Sequence, residues 1–141
     1  MTLSSSRDKL RELRHVALDM DGTIYRGGQL FDTTRPFLKL LDHLAIGYTF
    51  VTNNCSHARE EYVARLARFG IEVVLEQIVT SADATITYLA KLGSKIGSIY
   101  VIGTPALKAA LAGAGFQIAT VETEPGLVVV GFDTALLYDD L

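Results

Sequence analysis

A single cysteine, Cys55, is all the thiol the chain contains. That excludes an internal disulfide and any multi-cysteine metal site. Basic runs are missing as well. Thirteen Lys+Arg face sixteen Asp+Glu, a net charge of −3, which argues against nucleic acid as a partner. No basic residue follows Lys108, whereas Glu122, Glu124, Asp133, Asp139 and Asp140 do. No apolar run approaches the roughly 20 residues that span a bilayer. The stretch from Met1 to Arg14 is polar and lacks the apolar core of a secretory signal. His15, His43 and His57 show no metal-ligand spacing. Low-complexity segments and fixed-period repeats are absent. What remains is a chain of 141 residues, 49% hydrophobic and 21% charged, an ordinary globular balance. The expectation is a soluble protein in a reducing, cytoplasmic setting, away from membranes. A compact globule of 15.3 kDa exposes roughly 7,000 Å² and builds one real core rather than two full domains.

Periodicity orders the chain. A loose tail leads into a short amphipathic turn using Leu10 and Leu13. His15-Val16-Ala17-Leu18-Asp19-Met20 is an apolar run meeting Asp21-Gly22, which predicts a buried strand ending on acidic residues. Gly22 to Phe31 holds three glycines and reads as a loop. Thr34 to Leu44 carries Phe37, Leu38, Leu40, Leu41 and Leu44 at helical spacing, with Pro36 in the first turn and Gly47 as the stop. Tyr48 to Thr52 predicts a second strand. A helix over Arg59 to Phe69 follows, with Ser56 as its N-cap and Gly70 closing it. Further helices are predicted over Ala82 to Leu92, capped by Ser81, over Pro105 to Ala112, and from Ala135 onward. Ile99 to Ile102 and Leu127 to Val130 read as strands. This alternation predicts an α/β fold built of parallel strands crossed by helices.

The chemistry concentrates where predicted strands end. Asp19 and Asp21 lie two residues apart at the end of the first strand, the place where open parallel sheets bind ligands. Gly22 lets the chain turn and a ligand approach the backbone. Asp-x-Asp-Gly also reads as a solvated turn. Against that, an apolar run carrying Asp19 leaves a carboxylate without a partner, which is costly. A cation between two carboxylates supplies one, and hard oxygen donors suit magnesium.

Asp19-Met20-Asp21-Gly22-Thr23-Ile24-Tyr25 resembles the first motif of the haloacid dehalogenase superfamily. The resemblance implies a Rossmann-like parallel core, with Asp19 as the nucleophile that forms an aspartyl-phosphate and Asp21 as the general acid/base. It also implies Mg2+ held by the Asp19 carboxylate and the Asp21 backbone carbonyl. The chemistry agrees. A carboxylate is ionised at neutral pH and ready to attack phosphorus. The leaving alkoxide needs a proton, and the later attacking water must lose one. An acid at position 21 therefore favours phosphoryl transfer to water over halide removal.

Thr52-Asn53-Asn54 ends the second predicted strand. A hydroxyl and backbone N–H groups at a strand end suit phosphate oxygens, and a plain turn is the alternative. Thr52 is similar to the family's second motif, which binds the transferring phosphoryl group. Asn53 and Asn54 resemble the extension found in the NagD/4-nitrophenylphosphatase subgroup, where this loop also lines the substrate site. Thr23-Ile24-Tyr25-Arg26-Gly27-Gly28 resembles the same subgroup. Only thirty residues, Gly22 to Val51, separate Asp21 from Thr52, too few for a substrate-covering cap as well as a loop, a helix and most of a strand. A cap must therefore follow Thr52. The expected division is residues 1–80 as the N-terminal part of the core and 81–141 as the first part of an α/β cap.

The family's later motifs, a Lys that neutralises the phosphoryl charge and an acidic pair for the metal, have no match. Lys91, Lys95 and Lys108 fall in the cap-like part, and Asp139 and Asp140 sit at the chain end. The expectation is a chain truncated within the cap, with little phosphatase activity alone. Its substrate would be a small phosphorylated metabolite; the oligomeric state stays open, a homodimer being one option because caps of the subgroup often dimerise. Two other functions compete: a shortened, catalytically silent interaction module and a phospho-accepting receiver domain. A receiver needs its acceptor Asp at the end of a later strand, and the candidates here end in Thr52 and Gly103. Cys55 is expected as a small buried thiol and His57 as a surface residue.

Overall fold

In the computed structural model, which describes residues 6–133 and 136–137, strands and helices alternate. Their order is α1 (Ser6–Arg11), β1 (His15–Asp19), β2 (Tyr25–Arg26), β3 (Gln29–Leu30), α2 (Thr34–His43), β4 (Gly47–Thr52), α3 (Arg59–Arg68), β5 (Ile78–Thr80), α4 (Ser81–Leu92), β6 (Ile99–Ile102), α5 (Pro105–Gly113) and β7 (Leu127–Val130). A parallel sheet runs in the order β1-β4-β5, with Asp19 opposite Val51 and Thr52 opposite Thr80. A second parallel pair joins β6 to β7. The predicted α/β class is therefore the one adopted. Parallel pairing puts the ends of β1, β4 and β5 on one rim, and that rim carries the acidic and Thr-Asn-Asn motifs.

Alternation along the strands decides what is buried. Leu18, Phe50 and Ile78 turn toward α2 and α3 and meet Leu38, Leu41, Tyr62 and Leu66 in one cluster. Each fully buried side chain of this size stabilises by about 1.5–3 kcal/mol. The opposite face of β1 is open: His15, Ala17 and Asp19 are exposed. The expectation of a fully buried first strand is thus corrected to a half-buried one. Among the described residues β1 pairs only with β4, so it is also an edge strand of this sheet. A second cluster gathers Leu89 of α4, Ile99 and Val101 of β6, Leu107 and Leu111 of α5, and Cys55. Two small cores replace the single core expected from size.

Several local expectations shift. The glycine-rich loop after Asp21 contains a hairpin, β2 paired antiparallel with β3 around Gly27-Gly28. Two such residues between short strands are a hairpin signal. β5, three residues long, carries too little periodicity to announce itself. α2 stops at Ala45, which takes the left-handed conformation (φ 53°), and Gly47 instead opens β4. α3 is capped at Ala58, whose N–H donates to Glu61 Oε1 at 2.9 Å, so Ser56 is not its cap. α4 is capped one residue early by Thr80, whose N–H and hydroxyl both donate to Asp83 at 2.8 Å. Of the five apolar residues assigned to α2, Leu38 and Leu41 are buried, while Phe37, Leu40 and Leu44 are exposed with Leu10 and Leu13. Of the helix expected from Ala135 onward, Leu136 and Leu137 are described and are not helical, and the rest lies outside the described residues. No helix among those described is long and apolar enough to cross a membrane.

Candidate active site

The chain leaves β1 through a tight turn organised on one carbonyl. Met20 O accepts from the N–H groups of Thr23 (3.2 Å), Ile24 (2.9 Å) and Tyr25 (3.3 Å). Met20 itself is fully buried, so the acidic residues on either side turn outward, and both are exposed. Gly22 N–H donates to Tyr25 O at 2.7 Å, and Gly22 has φ +87°. Its missing Cβ would meet nothing within 4 Å. Glycine is required here for conformation rather than space, at about 1–2 kcal/mol for any other residue. Thr23 Oγ1 donates to Asp19 Oδ2 at 3.3 Å, a support that spacing alone did not assign.

At the end of β4, Thr52 is buried, and its Oγ1 accepts from Asn54 N–H at 3.1 Å. Asn54 Oδ1 accepts from Ser56 N–H at 2.9 Å, so the Asn54 side chain shapes its own loop. Asn53 is exposed at the rim. Cys55 is a buried free thiol, as expected. His57 is partly exposed on the protein surface and pairs with Glu61 at 3.0 Å.

Three residues behind this rim received no role of their own from the sequence, although Tyr25 stands in the first motif. Tyr25, Tyr62 and Arg65 pack together, with the Arg65 guanidinium 5.6 Å from the Tyr25 ring centroid and 5.9 Å from that of Tyr62. The Tyr25 hydroxyl is buried without a well-aligned hydrogen-bond partner. Burial pushes its pKa up, and the adjacent Arg65 counters part of that rise. Asp21 acts on Tyr25, Tyr62 and Arg65 alike through its charge, which places all four in one electrostatic neighbourhood. Burial pushes Tyr62 up to about 12 and raises Tyr48 as well. An unfolded chain ionises tyrosine near pH ~10. Folding thus holds these phenols neutral, and that stability is present below pH ~10 and lost as pH rises toward 12. Urea midpoints are expected to fall steeply across that window, and Tyr62→Phe is expected to flatten the fall. A midpoint that stays level there would contradict this burial.

Chemically the rim offers hard oxygen donors. Two exposed carboxylates fit a magnesium ion that keeps several waters and takes one or two carboxylates. No group of three or more metal-binding side chains occurs among the described residues. A cavity of ≈ 270 Å³ reaches the Thr52 loop, lined by Asn53, Cys55, Ser81, Thr85 and Phe132 among others. A cavity of ≈ 520 Å³ between the start of α3, α4 and α5 includes neither Asp19 nor Asp21. The two acids stand on open surface.

The chain matches the model of the haloacid dehalogenase-like hydrolase family over residues 16–117. It is 32% identical over 132 residues to an acid sugar phosphatase of Staphylococcus aureus, covering 94% of this chain and 50% of that protein. It superposes on a 4-nitrophenylphosphatase of Thermotoga maritima with a TM-score of 0.83 and 33% identity, covering 93% of this chain and 49% of the other. A glycerol phosphate phosphatase of Mycobacterium tuberculosis, solved with magnesium, gives a TM-score of 0.80 at 28% identity, covering 92% of this chain and 39% of the other. The chain spans about half the length of the curated relatives it matches.

Proposed function

The chain belongs to the haloacid dehalogenase-like hydrolase family, and from that premise we propose that it carries the nucleophile and the phosphate-binding loop of a phosphomonoester hydrolase. The observation that carries the reading is the pair of outward-facing carboxylates, Asp19 and Asp21, on the same rim as the Thr52 loop. Asp19 attacks phosphorus and displaces the alkoxide, forming an aspartyl-phosphate. Asp21 donates its proton to the leaving oxygen, then takes one from the water that hydrolyses the acyl phosphate. Gly22, Thr52, Asn53 and Asn54 receive the phosphoryl oxygens and the adjoining substrate. Mg2+, held by the Asp19 carboxylate and the Asp21 carbonyl, supplies charge neutralisation when bound.

Sugar and glycerol phosphates are the substrate class that the names of the relatives favour. Residues 1–80 form the core portion and 81–141 the beginning of a cap in this reading, supported by the two separate hydrophobic clusters. A cytoplasmic setting and pairing of two copies through residues 81–141 belong to the same proposal. Beryllium fluoride with Mg2+ mimics a phosphoryl group on a carboxylate and tests the reading directly. Fluorine NMR of the longest form of the protein that hydrolyses phosphate esters is expected to show a bound species that disappears in Asp19→Asn. Persistence of that species in the variant, or its absence from the parent, overturns the assignment.

A further inference from the structure

Three consecutive carbonyls after Thr52 are each met by a hydroxyl from a different element. Ser81 at the start of α4 donates to Asn53 O at 2.8 Å. Tyr62 of α3 donates to Asn54 O at 2.9 Å. Thr104, the N-cap of α5, approaches Cys55 O at 3.4 Å, the weakest of the three. Carbonyls beyond a strand end lose their ladder partners and must find donors elsewhere. Water would serve on an exposed loop. Here side chains up to 49 positions away along the sequence serve instead.

The same loop fixes its own N–H groups. Asn54 N–H donates to Thr52 Oγ1 and Ser56 N–H to Asn54 Oδ1. With carbonyls held from behind and N–H groups held locally, the peptide planes from Asn53 to Ser56 have one orientation. Gly131, just past β7, closes the arrangement: a Cβ there would lie 3.2 Å from Cys55 Sγ and collide with Leu107. Burial keeps the Tyr62 phenol protonated and therefore a donor. Thr52 Oγ1 accepts from Asn54 N–H and lies against the Tyr62 hydroxyl, which offsets part of that phenol's upward shift.

We propose that Tyr62, Ser81 and Thr104 are positioning residues that clamp the loop after Thr52 in its phosphate-receiving shape, two of the three hydroxyls coming from residues 81–141. This inference rests on the phosphate-binding role proposed for that loop. Donors held in place before a ligand arrives need no reorganisation when charge develops on it. The second hydrophobic unit thereby shapes the site without touching the reacting atoms.

The test uses the longest form of the protein that hydrolyses phosphate esters, with two readouts: amide hydrogen exchange of Asn54 and Ser56, and titration with inorganic phosphate in the presence of Mg2+. Ser81→Ala and Tyr62→Phe are each expected to speed exchange of these amides and to weaken phosphate binding by roughly five-fold, the effect of losing one hydroxyl–carbonyl bond. Exchange in β6 should not change. Ser81→Thr keeps the hydroxyl and is expected to restore both readouts. Thr104→Ser should behave as the parent and Thr104→Val as the other deletions. Unchanged exchange at the loop overturns the clamp. Faster exchange with unchanged phosphate affinity, or with affinity not restored by Ser81→Thr, also overturns the positioning role and leaves the hydroxyls merely structural. A parent that shows the protected loop but binds no phosphate overturns the phosphate-binding role, and the purpose of the clamp with it.

Discussion

Asp19→Asn is expected to lower kcat for 4-nitrophenyl phosphate by on the order of 10³ or more, because an enzyme deprived of its nucleophile keeps only residual binding and electrostatic catalysis. The measurement belongs in the longest form of the protein that hydrolyses this ester. Folding should be almost untouched. Asp19 is exposed at the end of β1, and its hydrogen bond comes from Thr23 Oγ1, which can donate equally to an amide oxygen. The substitution therefore changes charge and nucleophilicity while keeping shape. A variant with near-parent turnover would show that phosphorus is not attacked from position 19. The companion Asp21→Asn sharpens the mechanism. Nitrophenolate leaves readily without a proton, whereas an alkoxide does not. The loss should thus be smaller for 4-nitrophenyl phosphate than for glycerol phosphate. Equal losses would remove the acid role from Asp21.

Phe50→Ala is expected to cost about 3–5 kcal/mol of folding stability. Phe50 is completely buried in the middle of β4, which pairs with β1 on one side and β5 on the other. Its ring meets Tyr48 edge-on, with centroids 5.6 Å apart, and packs in the cluster beneath α2 and α3. Small domains are stable by only about 5–15 kcal/mol, so this one change removes a large share and should shift the urea midpoint sharply. Val51→Ala is the internal control. Val51 is the next residue of the same strand, turned to the other face and only half-buried beside exposed Ala17 and Asp19. Its loss should cost well under ~1.5 kcal/mol. Comparable losses at both positions would mean that the outer face is as well covered as the inner.

Local pattern made most elements legible. Runs such as Tyr48 to Thr52 and Ile99 to Ile102 combine β-branched and aromatic residues over strand length, and α3 and α5 each place their two buried residues four apart. Failures came where a few residues decide. Ala45 ends α2 in a left-handed conformation that propensity assigns to glycine. Ile78–Thr80 is a strand because β4 lies beside it. Phe37, Leu40 and Leu44 read as core by spacing, yet only Leu38 and Leu41 face the sheet. A helix presents one stripe to its neighbour, and an apolar count cannot say how wide that stripe is.

Sequence alone determined the α/β class, through the alternation of strand and helix patterns, and the carboxylates ending β1 and the Thr-Asn-Asn loop ending β4, because each of those motifs is written within a few adjacent residues. Tertiary structure alone decided that Asp19 stands on an open face, that Arg65 sits against Tyr25 and Tyr62, and that Ser81, Tyr62 and Thr104 converge on three neighbouring carbonyls. The hydroxyls lie 8, 28 and 49 positions from the carbonyls they meet. Parallel crossovers return the ends of β1, β4 and β5 to one rim and bring Ser81 to the loop after Thr52, while Thr104 reaches the same loop from the end of β6 in the second sheet.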